Sequence, residues 1–181
     1  IVYSEVYANT LNYYWGNTLK ISGNYLYVGG FHMTSAWHEI RVYDISDPTA
    51  LSFVSGISLN TRVNSLDVLG NNYLVAGTDD AAGYSNEDLL IFDISNPSAI
   101  TYVDGLNLGT NPVYDVKVRG SKIYAGTLTA ASYSNREFFI IDASSSTNLT
   151  VEGSLDLAAA AVLKISLADD YAYVLQTNGY S

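Results

Sequence analysis

Three aspartates recur at a spacing of 49 residues, Asp44, Asp93 and Asp142, and each opens a serine-containing turn: Asp44-Ile45-Ser46-Asp47-Pro48, Asp93-Ile94-Ser95-Asn96-Pro97 and Asp142-Ala143-Ser144-Ser145. Carboxylates brought together by a repeat could hold a cation or share a proton. An Asp that leaves a strand ahead of Ser and Pro also has a simpler use, accepting hydrogen bonds from the backbone of the turn it begins. The simpler use is the expectation. A second group of acids lies in the segment 78–88, where Asp79, Asp80, Glu87 and Asp88 stand among Thr, Tyr, Ser and Asn. Oxygen ligands of this kind suit Ca²⁺. The spacing is not that of an EF-hand loop, and the corresponding segment 127–135 holds no acid. A solvated acidic loop is expected, with Ca²⁺ the one cofactor left open.

The two histidines, His32 and His38, fall in the matching loop of the preceding repeat. Two imidazoles could share a metal, but no third ligand stands at a supporting spacing. Glu39 adjoins His38, and neighbours on a strand face opposite ways, so they make a poor acid–base pair. Aromatic residues form a larger surplus. Tyr13, Tyr14 and Trp15 fall in the connection before the first complete repeat, and Trp37, Tyr84 and Tyr133 in loops. Tyr84-Ser85-Asn86 and Tyr133-Ser134-Asn135 are 49 apart and so belong to one face. Such rings could stack on sugars or anchor a protein partner, and packing against neighbouring repeats is the competing use. Asn148-Leu149-Thr150 is an N-glycosylation sequon. The chain has no cysteine, phosphate-binding Gly-rich loop, serine nucleophile elbow or zinc motif. No catalytic residues are assigned, and the chain is read as not an enzyme.

The elements that must position these residues come from the same period. Tyr25-Leu26-Tyr27-Val28-Gly29 returns as Tyr73-Leu74-Val75-Ala76-Gly77, as Ile123-Tyr124-Ala125-Gly126 and as Ala172-Tyr173-Val174. A period near 49 signals an array of supersecondary units. In the second unit, Ser65–Leu69 alternates apolar and polar, Gly70-Asn71 turns, and Tyr73–Ala76 is rich in β-formers. A polar loop is expected from Thr78 to Asp88, then the apolar run Leu89–Phe92, a Pro turn, and Ile100–Val103. Short runs bounded by Gly, Pro, Asn and Asp read as strands. Four antiparallel strands per unit make the blades of a β-propeller; a β-sandwich and a β-solenoid are the competing architectures. The prediction is one all-β repeat domain over 1–181. Complete blades cover approximately 19–61, 66–110 and 116–157, and partial-blade strands lie at 1–7 and 163–175. Ala158–Ala161, helical by composition, falls in a loop.

Leu90-Ile91-Phe92-Asp93-Ile94-Ser95-Asn96-Pro97, with Gly70–Ala76 before it, resembles the LVIVD repeat. Glu39–Pro48 matches in the unit before, and Phe138–Asp142 in the unit after, without the Pro. That resemblance implies a β-propeller of the kind found in surface or secreted proteins of bacteria and archaea. It implies no activity, since the motif residues are scaffold. The units here are longer than the family's, with the extra length after the second strand.

Three expectations follow for the open ends. The chain is part of a longer propeller, or a small propeller closed by its first strand, or a subunit that copies of itself complete into a ring or fibre. The net charge of −10 and pI of about 4.3 disfavour nucleic acid and anionic membrane as partners. No apolar run is long enough for a membrane-inserting helix. Little Lys beside much Tyr, Ser, Thr and Asn suggests an extracellular or cell-surface setting. The expected function is a non-enzymatic scaffold or a protein- or glycan-binding module. The alternatives are a self-assembling structural subunit and a hydrolase or lyase working at a propeller mouth.

Overall fold

The computed structural model describes residues 14–32, 38–109, 112–128, 136–158 and 160–177. The expected strand at 1–7 lies outside them. Among the described residues the chain is β throughout except for one 3-10 turn, Ala82–Tyr84. Three four-stranded sheets and a hairpin follow one another in sequence. The first holds β1 (Tyr14–Ser22), β2 (Tyr25–His32), β3 (Ile40–Asp44) and β4 (Ser52–Ile57). The second holds β5 (Val63–Leu69), β6 (Tyr73–Ala81), β7 (Glu87–Asp93) and β8 (Thr101–Leu106). The third holds β9 (Val113–Arg119), β10 (Lys122–Thr127), β11 (Phe138–Asp142) and β12 (Thr150–Leu155). The hairpin is β13 (Val162–Ala168) with β14 (Tyr171–Gln176). Each sheet is an antiparallel meander in chain order. Among the described residues these are propeller blades, three complete and one begun.

Local chemistry fixes the meander. Each first hairpin turns on one left-handed residue: Gly23, Gly70 and Gly120 at φ of 56°, 60° and 58°, and Asp169 at 48° in the last unit. Glycine meets that backbone without a Cβ clash. The register then repeats, pairing Leu19 with Val28, Leu66 with Ala76, Val116 with Ala125 and Ile165 with Val174.

The core lies between blades. Tyr27, Ile40 and Val42 of the first blade pack with Leu66, Leu74, Leu90 and Phe92 of the second. Val75, Leu89 and Ile91, on the second blade's other face, pack with Val116, Ile123, Phe139 and Ile141 of the third. Val162 and Ile165 repeat the arrangement against Phe138. A central strand buried on both faces reads as a continuous apolar run, as Leu89–Phe92 does.

Close approach of blades needs glycine at one position. A Cβ on Gly77 would stand 2.6 Å from Cγ1 of Val113, and Gly29 and Gly126 face Val63 and Val162 in the same way. Side chains of the first strands then tie each blade to the next. Leu66 N donates to Thr18 Oγ1 (3.2 Å), Val116 N to Ser65 Oγ (3.2 Å) and Ile165 N to Asp115 Oδ2 (2.7 Å).

Two local expectations are corrected. The segment 78–88 is not a polar loop: β6 runs to Ala81, β7 starts at Glu87, and Ala81 pairs with Glu87. Backbone pairing does not require apolar side chains, and Ser85 and Asn86, at φ of 57° and 58°, close the turn. Tyr14 and Trp15 lie on β1, opposite His32 and Phe31, rather than in a connection. The described residues of Ala158–Ala161 are non-helical, as the repeat required.

Candidate functional site

An antiparallel blade puts its 1–2 and 3–4 turns on one face of the array, here the turn face. Its 2–3 loop and the link to the next blade lie on the opposite, loop face. The recurring aspartates lie on the turn face. Asp44 Oδ1 accepts from Ser46 N (2.7 Å), Asp93 Oδ1 from Ser95 N (2.8 Å) and Asp142 Oδ1 from Ser144 N (2.8 Å). These are the Asx turns the sequence suggested. All three carboxyls are held below the usual carboxylate range by bonds from their serines. The backbone N–H is the main cause at Asp44 and Asp142, and the hydroxyl at Asp93. Each turn is also tied to its blade's first hairpin: Ile45 N, Ile94 N and Ala143 N donate at 2.8 Å to the carbonyls of Asn24, Asn72 and Ser121.

Between these braced turns lie two equivalent grooves. The first, about 610 Å³, runs between blades one and two and is lined by Ser22–Tyr25, Tyr27, Asn71, Asn72, Ile94, Ser95 and Pro97. The second, about 490 Å³, runs between blades two and three and is lined by Leu69, Gly70, Tyr73, Gly120, Ser121 and 143–146. Both volumes fall within the range of small-molecule sites. Tyr25 and Tyr73 hold the same place in their repeats, as do Ser95 and Ser144. Among the described residues no carboxylate, amine, guanidinium or imidazole lines either groove. Burial, and then Tyr25 nearby, raises the Tyr27 phenol.

The loop face is built differently. Glu39 and Glu137 just precede the third strands, and Asp88 stands in the first pair of positions of β7; they too recur at 49 residues, and all three are buried. Each reaches the link into the next blade: Leu59 N donates to Glu39 Oε2 (2.7 Å), Leu108 N to Asp88 Oδ1 (2.8 Å) and Leu157 N to Glu137 Oε2 (2.7 Å). Their spacing was visible in the sequence, but each sits beside a different neighbour and outside the conspicuous Asp-Ile-Ser motif.

The sequence-selected residues divide as follows. Asp79 accepts from Asn64 Nδ2 (2.8 Å), Glu87 from the Tyr102 hydroxyl (2.6 Å), and Asp88 from the link to blade three. These three have separate partners, and the Asp80 side chain lies outside the described residues. Among the described residues no three His or acid side chains group as metal ligands. His32 is buried on β2, while His38 stacks on Phe53 at 6.2 Å, with Nδ1 3.3 Å from Ser58 Oγ. Tyr84 lies against Tyr102 (4.9 Å between centroids) and Phe92 (6.4 Å) of its own blade, and burial raises its phenol. The Tyr14 hydroxyl donates to the carbonyls of Val28 (3.3 Å) and Glu39 (3.2 Å), under the Arg41 guanidinium. Trp15 is exposed. Tyr13, Trp37 and Tyr133 lie outside the described residues. Asn148 is exposed in the last 3–4 turn, its N–H donating to Ser145 O.

The first strands carry a third set of charges. Lys20 pairs with Asp67, and Lys117 and Lys164 stand 3.0 and 3.6 Å from the buried Asp115. Asp67 Oδ2 also accepts Val118 N at 2.7 Å, so these charges join blades.

Comparison with known proteins agrees with this geometry. A family model described as the LVIVD repeat matches residues 17–58 and 82–106. No curated protein matches the chain. Among solved structures it is similar to the computationally designed Ika8 protein, with a TM-score of 0.59 and 12% identity over 86% of this chain and 41% of that one. It is also similar to a chain of a mitotic checkpoint complex, with a TM-score of 0.56 and 14% identity over 82% of this chain and 40% of that one. At such identities the likeness is one of fold. The chain spans about two-fifths of the length of either structure.

Proposed function

We propose that this chain, whose β-propeller blades match the LVIVD repeat at residues 17–58 and 82–106, is a non-enzymatic scaffold and binding module of the cell surface or extracellular space. One observation carries the reading: an uncharged polar groove of ligand-binding size recurs at two successive blade junctions. Its walls are braced by Asx turns before any ligand arrives, and preorganisation of this kind lowers the cost of binding. The ionisable groups near it are engaged in turn or blade contacts, which supports binding over catalysis. Composition supports the extracellular setting.

The test is to present the intact chain to panels of glycans and of folded extracellular protein domains, and to follow the bound ligands by mass spectrometry. Saturable binding with ligand recovered unchanged is the expected result. Catalytic conversion of a ligand would overturn the non-enzymatic reading, and failure to bind either panel would overturn the binding module.

A second reading, assembly with copies of itself, is favoured by the apolar residues at the two ends of the array. Trp15, Leu19 and Ile21 on β1, and Tyr171, Tyr173 and Leu175 on β14, are all more than half exposed. Leu175 stands where earlier units have Gly29, Gly77 and Gly126. A partner on β14 must therefore seat differently from the valine that meets those glycines. Sedimentation velocity of the wild-type chain beside Tyr173→Lys tests this, since a monomer under both conditions would sink the assembly reading.

A further inference from the structure

We propose that the two inter-blade grooves of the turn face are saccharide subsites, each taking a neutral sugar unit of an oligosaccharide. The inference rests on the binding-module reading and names its ligand. Its first support is the chemistry of the lining. Asn71 and Asn72 each bring a side-chain amide with a donor and an acceptor end, and the serines bring hydroxyls that do both. A sugar ring edged with hydroxyls has the same dual character. Tyr25 in the first groove and Tyr73 in the second supply an amphipathic ring, half-buried and half-open, against which the C–H face of a pyranose can lie.

The second support is the absence of charge in a chain that carries −10. Among the described residues no Lys or Arg lines either groove to attract phosphate or sulfate, and no carboxylate lines one to hold a cation. The nearby Asp93 and Asp142 already accept the serine N–H groups of the groove walls. An uncharged polyol is the ligand class this leaves.

The third support is rigidity at both ends of each groove. On the inner side, Lys20 pairs with Asp67 across the first junction, and Val118 N donates to Asp67 across the second. On the outer side, Ser55 Oγ donates to Pro97 O (2.5 Å), and Leu149 N donates to Asp104 Oδ2 (2.9 Å). Ser55 and Asp104 are 49 residues apart, so the outer tie is part of the repeat. Groove walls fixed in this way hold donors and acceptors at set positions, as discrimination among hydroxyl stereoisomers requires. The first groove, with two tyrosines and the asparagine amides, is the stronger subsite. The second, with one tyrosine and mostly serines, is the weaker.

The experiment is an amide-detected NMR titration of the ¹⁵N-labelled full chain. The probes are neutral oligosaccharides of glucose, galactose, mannose and N-acetylhexosamines, with an uncharged Ser/Asn tetrapeptide as the competing class. At least one oligosaccharide is expected to shift the side-chain amides of Asn71 and Asn72 and the backbone amide of Gly23 in a saturable way, with smaller shifts at Gly70, Gly120 and Ser121. The pair Asn71→Ala and Asn72→Ala should weaken that binding about tenfold, with thermal melting unchanged. Tyr25→Phe, which keeps the ring, should weaken it less. If no oligosaccharide shifts these amides up to about 10 mM, or if shifts arise only on the loop face, the saccharide assignment is overturned. Peptide binding in the grooves would overturn it too while leaving the binding module standing. Cleavage of the oligosaccharide would overturn the non-enzymatic reading itself.

Discussion

The start and the end of a blade's third strand both carry an acid, five residues apart and repeated every 49, yet the two do opposite work. The leading acids, Glu39, Asp88 and Glu137, are buried and reach backbone N–H groups 20 residues ahead, where the chain crosses to the next blade. The trailing acids, Asp44, Asp93 and Asp142, reach only two residues ahead and shape their own turn. One set joins blades and the other shapes a surface. Recurrence therefore marks a repeated structural need, and the reach of the hydrogen bond says whether that need is between blades or within one.

The largest predicted effect breaks the leading set. Asp88→Ala leaves the buried Leu108 N–H without its acceptor, and an unsatisfied buried donor costs about 1–3 kcal/mol. Urea unfolding should show that loss, with a smaller one for Asp88→Asn, which keeps an acceptor oxygen. If the two variants unfold alike, the acid is not acting through this bond. Gly77→Ala comes next, because it disturbs the same junction through packing. The new Cβ would lie 2.6 Å from Val113 Cγ1 and 3.0 Å from Val113 O, an overpacking expected to cost about 1–3 kcal/mol. A thermal midpoint equal to wild type would mean that the blades can separate slightly without penalty.

A third variant should stabilise. Asn60, Gly109 and Ala158 hold one position in the links between blades, and all have positive φ, at 54°, 128° and 57°. Each directly follows the leucine whose N–H the leading acid accepts. Asn and Gly tolerate such backbone and Ala does not. Ala158→Gly should add about 1 kcal/mol by urea unfolding, and a neutral result would mean that strain at this link is relieved elsewhere.

The fold was legible because its signals are periodic: the strand runs, the Gly of the first hairpin in each of the three complete blades, and the Asp-x-Ser turn recur in linear order. The Asx role of Asp44, Asp93 and Asp142 was legible for the same reason, being an interaction within three residues. Asp88 was noted only as a possible Ca²⁺ ligand and Glu39 only as a neighbour of His38; their regular spacing with Glu137 went unread, because their partners lie 20 residues away and an acid before an apolar run looks solvated. Segment 78–88 was misread because its polar composition resembles a loop, whereas backbone pairing extends the strands through Ala81 and Glu87. The grooves were least legible. They join residues about 50 to 70 positions apart, from Asn24 to Asn72 and Ile94, and no local pattern marks a surface shared by two blades. Loop aromatics drew attention instead, and Tyr84 lies against Tyr102 and Phe92 of its own blade.

The smallest effect belongs to the trailing acids and takes the form of a pH dependence. Asp44, Asp93 and Asp142 have folded-state pKa values lowered from 3.8 by the hydrogen bonds of their serines. A carboxyl lowered on folding supports the native state above its unfolded pKa, and that support is lost as pH falls through the lowered value. Thermal melts of the wild-type chain should therefore fall as the solution is acidified below the ordinary carboxyl range. In the triple variant Asp44→Asn, Asp93→Asn, Asp142→Asn, the amide oxygens can still accept the turn N–H groups but do not titrate. Its midpoint near neutrality should change little, and its acid slope should be shallower than wild type. An unchanged slope would mean that the acid response does not arise at these three turns. Because Ser95 and Ser144 line the grooves, the same variant also separates two roles of the turn. If groove shape depends on the Asx bond and not on the charge, ligand binding should survive the substitution near neutral pH even as the acid response is lost.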